Sequence, residues 1–405
     1  MDLPLYFSEQ HHQVRDLVRE FARNDVAPVA RDLDRDSAFP WENVKRMGEL
    51  GLLGAPWPEE LGGAGMDQLS YYIILHELAK VDASHALTVS AHTNLGTSPI
   101  VDFGTDDQRR RYVPLLASGQ VLGGFGLTEP GAGSDAGGTA TTAVDRGDHY
   151  VLNGSKIFIT HAGVGEVFSV TARTSPGVGH RGITSFIVTK DTVDLDRCRT
   201  LGIGHAEQLS KTPGVRAGKK QEKMGWRASD TRELILEDAV VPKDHVLGTL
   251  GEGFVNFLKT LDAGRIGIAA VSLGIAEGAY REALEYAGVR HQFGRPIGSF
   301  QGVSFQLADM ATEIQAGNHL LYHAAWLKQT GRPFKKEAAM AKLFCSELAM
   351  RVTTKAVQIF GGYGYTTEYP VERMMRDAKV CEIGEGTSEI QRIVIARQIL
   401  GELAG

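Results

Sequence analysis

Glu385 lies between two glycines, directly before a segment with a helical pattern that begins near Ser388. A carboxylate with such small neighbours is open to a substrate. If the carboxylate is also desolvated, its pKa rises towards neutrality, which suits a general base. An ordinary solvated loop glutamate fits the same residues, and the pattern alone leaves both interpretations open.

A second candidate is the segment from Phe125 to Asp135, which contains three glycines, one proline and two hydroxyl side chains. Glycine lets a backbone approach a ligand closely, and free amide N–H groups can hold phosphate or ring oxygens. The segment matches neither G-x-G-x-x-G nor G-x-x-x-x-G-K-[ST], so it indicates neither a dinucleotide-binding βαβ unit nor a P-loop. A simple turn between two strands explains it as well.

Other kinds of catalytic or metal site are not indicated by the sequence. The thirteen histidines include no H-E-x-x-H motif, and no histidine–cysteine cluster has the spacing of a metal site. No G-x-S-x-G nucleophile motif occurs. We therefore expect no metal site.

Length and composition limit the class of protein. A chain of 405 residues is expected to form two or three domains, and a net charge of −6 argues against a nucleic-acid binder. The three cysteines form no C-x-x-C pair, which fits a reducing compartment. The sequence shows no signal peptide and no run of eighteen apolar residues, so we expect a soluble, cytoplasmic protein.

Helical patterns occupy both ends of the chain. Apolar residues spaced by three and four predict a first helix that begins at Ser8 and ends at Asn24 and Pro28. Further helices are predicted at residues 69–81, 87–103, 254–286, 300–328, 336–360 and 388–403, and a basic segment at 106–117 follows the third helix.

Between the two helical regions, glycine is dense and short alternating segments predict strands over 167–172, 183–189 and 234–241. Asn153-Gly154 lies between two β-prone segments and predicts a hairpin with a type I′ turn. The order of elements predicts three domains, which are an α-helical domain at 1–122, a β domain at 123–243 and a second helical domain at 244–405.

Seven segments, in this order and spacing, resemble the acyl-CoA dehydrogenase family. They are FGLTEPGAGSD (125–135), NGSKIFIT (153–160), KMGWRASDTRELILEDAVVP (223–242), TLDAGRIGIAA (260–270), RHQFGRPIGSFQGVSFQLADM (290–310), QIFGGYGYTTEYPVERMMRDAK (358–379) and EIGEGTSEIQRIVIAR (382–397). The resemblance implies an α+β multidomain fold with an N-terminal α-helical domain, a central β-barrel or sandwich and a C-terminal four-helix bundle. It also implies bound FAD, a homotetramer built as a dimer of dimers, and electron-transfer flavoprotein as the partner that reoxidises the enzyme.

The resemblance also assigns roles to single residues. The flavin-facing residues that it implies are Phe125, Leu127, Thr128, Gly133, Ser134, Phe158, Ile159 and Thr160. The remaining FAD contacts fall on Arg290, Gln292, Phe293, Ile297, Gln301, Gln358, Gly361 and Gly362, with Thr387 and Glu389 at the opposite end of the cofactor. Contacts with the CoA or acyl part of the substrate fall on Ser134, Asp262, Arg265, Gly384, Gly386 and Arg397.

The family's usual base corresponds to Glu385. Some members carry the base instead on the helix that includes Asp262 to Arg265, where this chain has Gly264 and no glutamate. The implied reaction is α,β-dehydrogenation, in which Glu385 removes the α proton of an acyl-CoA thioester and the β hydrogen passes as hydride to flavin N5. The thioester carbonyl accepts hydrogen bonds from a flavin ribityl hydroxyl and from the Glu385 N–H, which stabilise the developing charge.

Three features depart from the family pattern. Phe158 replaces a tryptophan of many relatives, which keeps an apolar wall and loses the indole N–H. Gly384 replaces a tyrosine of many straight-chain enzymes and leaves space for a branched, cyclic or aryl-substituted acyl group, whereas the segments at 91–95 and 260–270 look more like short-chain members. The chain is also longer than its relatives between Lys190 and Met224. We interpret this segment as a surface insertion, with the pocket mouth or the CoA phosphate site as the alternatives that it could shape.

Two other functions share these features. An acyl-CoA oxidase performs the same first half-reaction and passes electrons to oxygen, so production of peroxide would identify it. A non-catalytic, flavin-bound scaffold would keep the fold, but it would have no need for the carboxylate of Glu385.

Overall fold

The structure of the chain is a computed structural model that describes residues 5–190 and 211–404. Most of the long segment predicted between Lys190 and Met224 therefore lies outside the described residues. Within the two described ranges, no helix is long and apolar enough to span a membrane.

Seven helices precede the first strand in the described chain. They are α1 (Glu9–Phe21), α2 (Ala27–Asp36), α3 (Trp41–Glu49), α4 (Gln68–Ala79), α5 (Ala83–Ser90), α6 (Ser98–Phe103) and α7 (Asp106–Ala117). Helix α4 begins where the Asp67 side chain accepts a hydrogen bond from the Ser70 N–H, and every residue from Leu69 to Ala79 is buried. Because α4 has no solvent-facing side, it lies in the interior between its neighbours.

The prediction that the first helix ends at Asn24 and Pro28 is wrong. A π-helical turn, Ala22–Val26, joins α1 to α2, so the chain remains helical as far as Asp36. Pro28 lies in the first turn of α2, where its missing N–H removes no hydrogen bond of that helix. The packing of a continuous buried helical face therefore outweighs the tendency of Asn24 and Pro28 to end a helix.

The central region forms a mixed sheet of eight strands. The strands are β1 (Gly123–Gly126), β2 (Thr142–Asp145), β3 (His149–Thr160), β4 (Val167–Arg173), β5 (Ile183–Thr189), β6 (Val215–Lys220), β7 (Thr231–Pro242) and β8 (Val246–Leu247). The order is β6-β7-β3-β2-β4-β5-β8, with β1 parallel to β4. Alternate side chains of these strands, among them Phe168, Phe186 and Leu234, form a separate apolar core.

Asn153-Gly154 does not form the predicted hairpin turn, because β3 runs through both residues. The pairing of β3 with β7 shifts between Leu152 and Gly154, which marks a β-bulge. The Asn153 side chain donates to Asp238 Oδ1 at 3.0 Å and accepts from the Asp238 N–H at 2.9 Å. The two residues therefore distort a long strand locally and do not reverse the chain.

Five helices follow residue 250 in the described chain. They are α8 (Gly253–Val289), α9 (Gln301–Gln329), α10 (Lys335–Phe360), α11 (Val371–Cys381) and α12 (Ser388–Ala404), with the short strands β9 (His291–Gln292) and β10 (Arg295–Pro296) after α8. Helix α10 packs along α8, and α4 packs on α8 as well. The predicted α+β arrangement of N-terminal helices, central sheet and C-terminal helices is confirmed.

Helix α11 was not predicted, although its signal was present. Val371, Met374, Ala378 and Cys381 are buried and have the spacing of one helical face. The eleven-residue helix lies immediately before the loop that carries Glu385. It therefore helps to position that loop.

The bulge at Gly154 gives a stability prediction. Gly154 has a φ of +156°, and a Cβ added there would lie 2.4 Å from Thr141 Oγ1. We expect Gly154→Ala to lower the free energy of unfolding by about 1–3 kcal/mol, because the neighbouring strand has to move. Gly288→Ala on α8 is the control, since its Cβ would meet no atom within 4 Å and alanine favours a helix by up to about 1 kcal/mol. Denaturant unfolding at one protein concentration measures the free energy of unfolding of both variants. A Gly154→Ala variant as stable as the unmodified protein would contradict the close approach of Gly154 to Thr141.

Candidate active site

Glu385 lies on a short loop between α11 and α12 whose backbone is unusual. Glu385 has a φ of +52°, in the left-handed region that residues other than glycine seldom adopt, and Gly386 has a φ of +94°. Such conformations persist only where the surrounding structure imposes them, and they concentrate at functional sites. The loop places the Glu385 side chain against α8.

The Glu385 carboxylate packs directly on α8 at Gly264. A Cβ built at Gly264 would lie 2.0 Å from Glu385 Oε2, so a side chain at position 264 would force the Glu385 carboxylate out of its observed position. This conflict provides a steric reason for a base to occupy one of the two positions and not both.

Burial dominates the electrostatics of this carboxylate. Glu385 Oε2 is buried and has no hydrogen-bond partner among the described residues. Desolvation raises the pKa of Glu385 to about 7, while the nearby cations Lys342 and Arg265 act in the opposite direction. A carboxyl group that titrates near neutral pH can accept a proton from a substrate and release it again.

Two of the predicted substrate residues lie on the same stretch of α8 as Gly264. Asp262 and Arg265 flank Gly264 on α8 and form an ion pair with each other. Desolvation raises the pKa of Asp262, against the effect of Arg265 and Lys335. Arg265 Nε is buried and has no partner within the described chain, so it is available to a bound group.

The other predicted residues near Glu385 lie on its loop and on the surface of α12. Gly384 and Gly386 flank Glu385, and the Thr387 hydroxyl accepts a hydrogen bond from the Ile390 N–H at 3.3 Å. Glu389 and Arg397 are exposed on α12. Within one chain, therefore, Arg397 is not part of the buried site.

Three residues near the carboxylate were not singled out from the sequence. Tyr71 and Tyr72 are buried on α4, and burial raises the pKa of both, with the charge of Glu385 as a further cause. The Tyr72 hydroxyl donates to the Ala263 carbonyl at 3.4 Å. Lys342, on α10, is also buried. Tyrosines in an apolar helix and a single lysine give no local signal that separates a site from a core.

The segment that begins at Phe125 is anchored to α8 and to β3. The Phe125 ring stacks on Phe257 of α8, with ring centroids 4.1 Å apart. Leu127 is buried, and the Thr128 carbonyl accepts a hydrogen bond from the Ile157 N–H at 2.9 Å. This bond brings the first predicted flavin-facing segment alongside the second.

A buried ion pair holds the following turn. Lys156 Nζ lies 2.6 Å from Glu129 Oε1, and the Glu129 carboxylate also accepts the Ala140 N–H at 2.6 Å. Gly133 and Ser134, in contrast, are exposed beyond this anchor. The rigid base of the turn therefore presents an open tip.

Phe158, in the second predicted flavin-facing segment, has strained backbone and an exposed ring. Its φ is +59°, and the residue is 63% exposed although it is large and apolar. Ile159 is buried and Thr160 is half-buried. An exposed aromatic ring held in a strained conformation offers a surface for a planar ligand.

A second group of predicted residues lines a cleft of about 480 Å³ beyond the end of α8. Its lining includes Arg290, Gln292, Ile297, Gly361 and Gly362. A Cβ built at either of these glycines would meet no atom within 4 Å, so the backbone is open to a ligand. The other residues predicted for this part, all of them exposed, are Phe293, Gln301 and Gln358.

These features fit a flavin dinucleotide. Phe158 offers a face for a planar ring, and Arg290 with the open glycines offers a cation and amide N–H groups for a pyrophosphate. Within residues 5–190 and 211–404, no group of three or more histidine, cysteine, aspartate or glutamate side chains is arranged to hold a metal ion.

Comparison with known proteins gives one consistent result. Family models match residues 8–120 (acyl-CoA dehydrogenase, N-terminal domain), 124–239 (middle domain) and 251–400 (C-terminal domain). A short-chain-specific acyl-CoA dehydrogenase of Clostridium acetobutylicum is 49% identical over 392 residues, which cover 97% of this chain and 98% of that protein.

Two solved structures are similar over almost the whole chain. Butyryl-CoA dehydrogenase from Megasphaera elsdenii superposes with a TM-score of 0.91 at 44% identity, over 99% of this chain and 100% of that one. A chain in the structure of the electron-transferring flavoprotein of Acidaminococcus fermentans gives a TM-score of 0.92 at 47% identity, over 99% and 100%. Together with the three family matches and the arrangement around Glu385, these similarities show that the chain belongs to the acyl-CoA dehydrogenase family.

Proposed function

We propose that this protein is an FAD-dependent acyl-CoA dehydrogenase that forms a double bond between the α and β carbons of an acyl-CoA thioester. The observation that carries the proposal is the buried Glu385 carboxylate, which has an unpartnered oxygen, packs on Gly264 and has a pKa raised to about 7. A base of this kind suits the removal of an α proton near neutral pH.

In the proposed reaction, Glu385 takes the α proton, and its own backbone N–H donates a hydrogen bond to the thioester carbonyl. That bond stabilises the negative charge that develops on the carbonyl oxygen. Lys342 and Arg265 favour the ionised carboxylate before proton transfer. Tyr71 and Tyr72 are buried and help to exclude water. Bound FAD would supply the hydride acceptor for the β hydrogen.

The FAD contacts are proposed at the residues that the family resemblance indicates. The flavin would lie along Phe125, Leu127, Thr128, Gly133, Ser134, Phe158, Ile159 and Thr160. The other half of the cofactor would contact Arg290, Gln292, Phe293, Ile297, Gln301, Gln358, Gly361 and Gly362, with Thr387 and Glu389 at the opposite end. The substrate would contact Ser134, Asp262, Arg265, Gly384, Gly386 and Arg397.

The length of α8 supports a cofactor site shared between subunits. Gly264 touches the base, whereas the cleft at Arg290 lies beyond Val289, 25 residues and about 38 Å further along the helix. One dinucleotide cannot reach both places in the same chain. We therefore propose a homotetramer in which the cleft of one subunit serves the base of another.

Two observations support different acyl groups. Similarity to short-chain-specific and butyryl-CoA dehydrogenases supports a short straight chain. A Cβ built at Gly384 would meet, within 4 Å, only the Val380 carbonyl, at 3.4 Å, and this open space supports a branched or bulkier group. The proposed substrate is thus a short-chain or branched or bulky-substituted acyl-CoA.

We propose electron-transfer flavoprotein as the electron acceptor, which the similarity to a chain in the Acidaminococcus fermentans structure supports. The proposed location is the cytoplasm. The proposed domains are residues 1–122, 123–243 and 244–405. Each of them contains one of the three family matches in full.

The function is tested by anaerobic titration of the FAD-loaded protein with butyryl-, octanoyl-, isobutyryl-, 2-methylbutyryl-, succinyl- and aryl-substituted acyl-CoA. We expect one short or branched thioester to bleach the flavin absorbance promptly after mixing. Stoichiometric peroxide on reoxidation in air would favour an oxidase. A flavin that is bound but bleached by no thioester would favour the scaffold.

The identity of the base is tested by Glu385→Gln, which keeps the size of the side chain and removes its basicity. We expect flavin reduction by the best thioester to slow by about 10³-fold or more. Glu49→Gln is the control, because Glu49 lies on α3 and forms an exposed ion pair with Arg46. Normal flavin reduction in Glu385→Gln would show that another group removes the proton.

The raised pKa of Glu385 gives the pH dependence. The carboxylate is the active form and its pKa is raised to about 7, so the protonated, inactive form accumulates as the pH falls below 7. We expect the rate of flavin reduction to fall about tenfold per pH unit below that value. A rate that stays constant down to pH 5 in rapid-mixing experiments would contradict this assignment.

A further inference from the structure

The left-handed loop at Glu385 and Gly386 is held by side chains of two helices. The Gly386 carbonyl accepts a hydrogen bond from Lys342 Nζ at 2.8 Å and a second from Gln391 Nε2 at 2.8 Å. Lys342 belongs to α10 and Gln391 to α12. Two helices therefore fix the peptide that follows the base.

Both donors are buried. The side chains of Lys342 and Gln391 belong to residues with no exposed area, and a Cβ built at Gly386 would lie 2.8 Å from Gln391 Nε2. Placing an ammonium group in such surroundings is costly unless a nearby negative charge or oriented carbonyl compensates for the lost water. The Gly386 carbonyl and the Glu385 charge provide this compensation.

The titratable groups around the pair come from four elements. The charged groups that face Glu385 or Lys342 are Arg265 of α8 and Glu382 of the loop, and the neutral ones are Tyr71 and Tyr72 of α4 and Cys381 of α11. Burial lowers the pKa of Lys342 to about 8, while Cys381 and Glu385 act against this effect. At pH 7 the ammonium form of Lys342 still predominates.

We propose that Lys342 is a positioning residue that, together with Gln391, fixes the Glu385–Gly386 backbone through the Gly386 carbonyl and, through its charge, keeps Glu385 ionised. The inference rests on the proposed function, because it assumes that Glu385 is the base. Lys342 acts through the loop and does not itself touch the reacting carbons. Gln391 supplies the same hydrogen bond without a charge, which allows the two effects to be separated.

The test measures the protonation of Glu385 directly. In the substrate-free protein, the infrared carboxyl band that Glu385→Gln removes is followed against pH. We expect Lys342→Met and Lys342→Gln to raise the midpoint of this band by about one pH unit or more, because both remove the cation that favours the carboxylate. Lys342→Arg keeps the charge, so we expect a midpoint close to that of the unmodified protein.

Two further variants are controls. Lys355→Met makes the same change on the same helix, 13 residues or about 20 Å further along, and we expect no shift of the midpoint. Gln391→Met removes the uncharged donor, so we expect slower flavin reduction at every pH with an unchanged midpoint. The acid limb of the flavin-reduction profile should move with the infrared midpoint in the Lys342 variants.

The possible outcomes separate this inference from the proposed function. An unchanged midpoint in both Lys342→Gln and Lys342→Met, with folded protein and normal FAD content, would overturn the role of Lys342. A shift in Lys342→Arg as large as that in Lys342→Gln would assign the effect to packing and overturn the role of its charge. Normal turnover in Glu385→Gln would instead overturn the proposed base. If Lys342→Met does not fold, the comparison of Lys342→Gln with Lys342→Arg decides the question.

Discussion

The site depends on a carboxylate that has to be buried and still ionise near neutral pH. Burial alone would keep Glu385 protonated, whereas a direct ion pair would make it too weak a base. The structure lies between these limits, because Glu385 Oε2 has no partner in the described chain while Lys342 and Arg265 are close enough to lower its pKa. The surrounding helices and the strained loop maintain this balance.

Helix α8 makes this arrangement possible because small residues line its face towards α4. A Cβ built at Gly274 would lie 2.5 Å from the His76 carbonyl, and one built at Gly278 would lie 2.2 Å from the Lys80 carbonyl. The two helices therefore approach more closely than side chains would allow. This close contact brings α4, with its two tyrosines, to the base and leaves little room for water.

Most helices could be predicted because their apolar residues recur every three or four positions. Glu385 could be singled out as the candidate base only through the resemblance of its surrounding motif to the family, since its flanking glycines alone left a solvated loop residue open. Asn153-Gly154 was misread because the pairing of β3 with β7, far away in sequence, outweighed local turn chemistry. Lys342 and Tyr72 were missed for a similar reason. Each lies near Glu385 in space but belongs to a helix that is far from it in sequence, and no local spacing in the sequence predicts such proximity.

The contact between Gly264 and Glu385 also restricts how this site can change over generations. A glutamate introduced at position 264 would displace the existing carboxylate, because even a Cβ there would lie 2.0 Å from Glu385 Oε2. Loss of Glu385 first would leave the site without its proposed base. The two positions are therefore coupled, and a lineage that moves its base from one to the other has to change both.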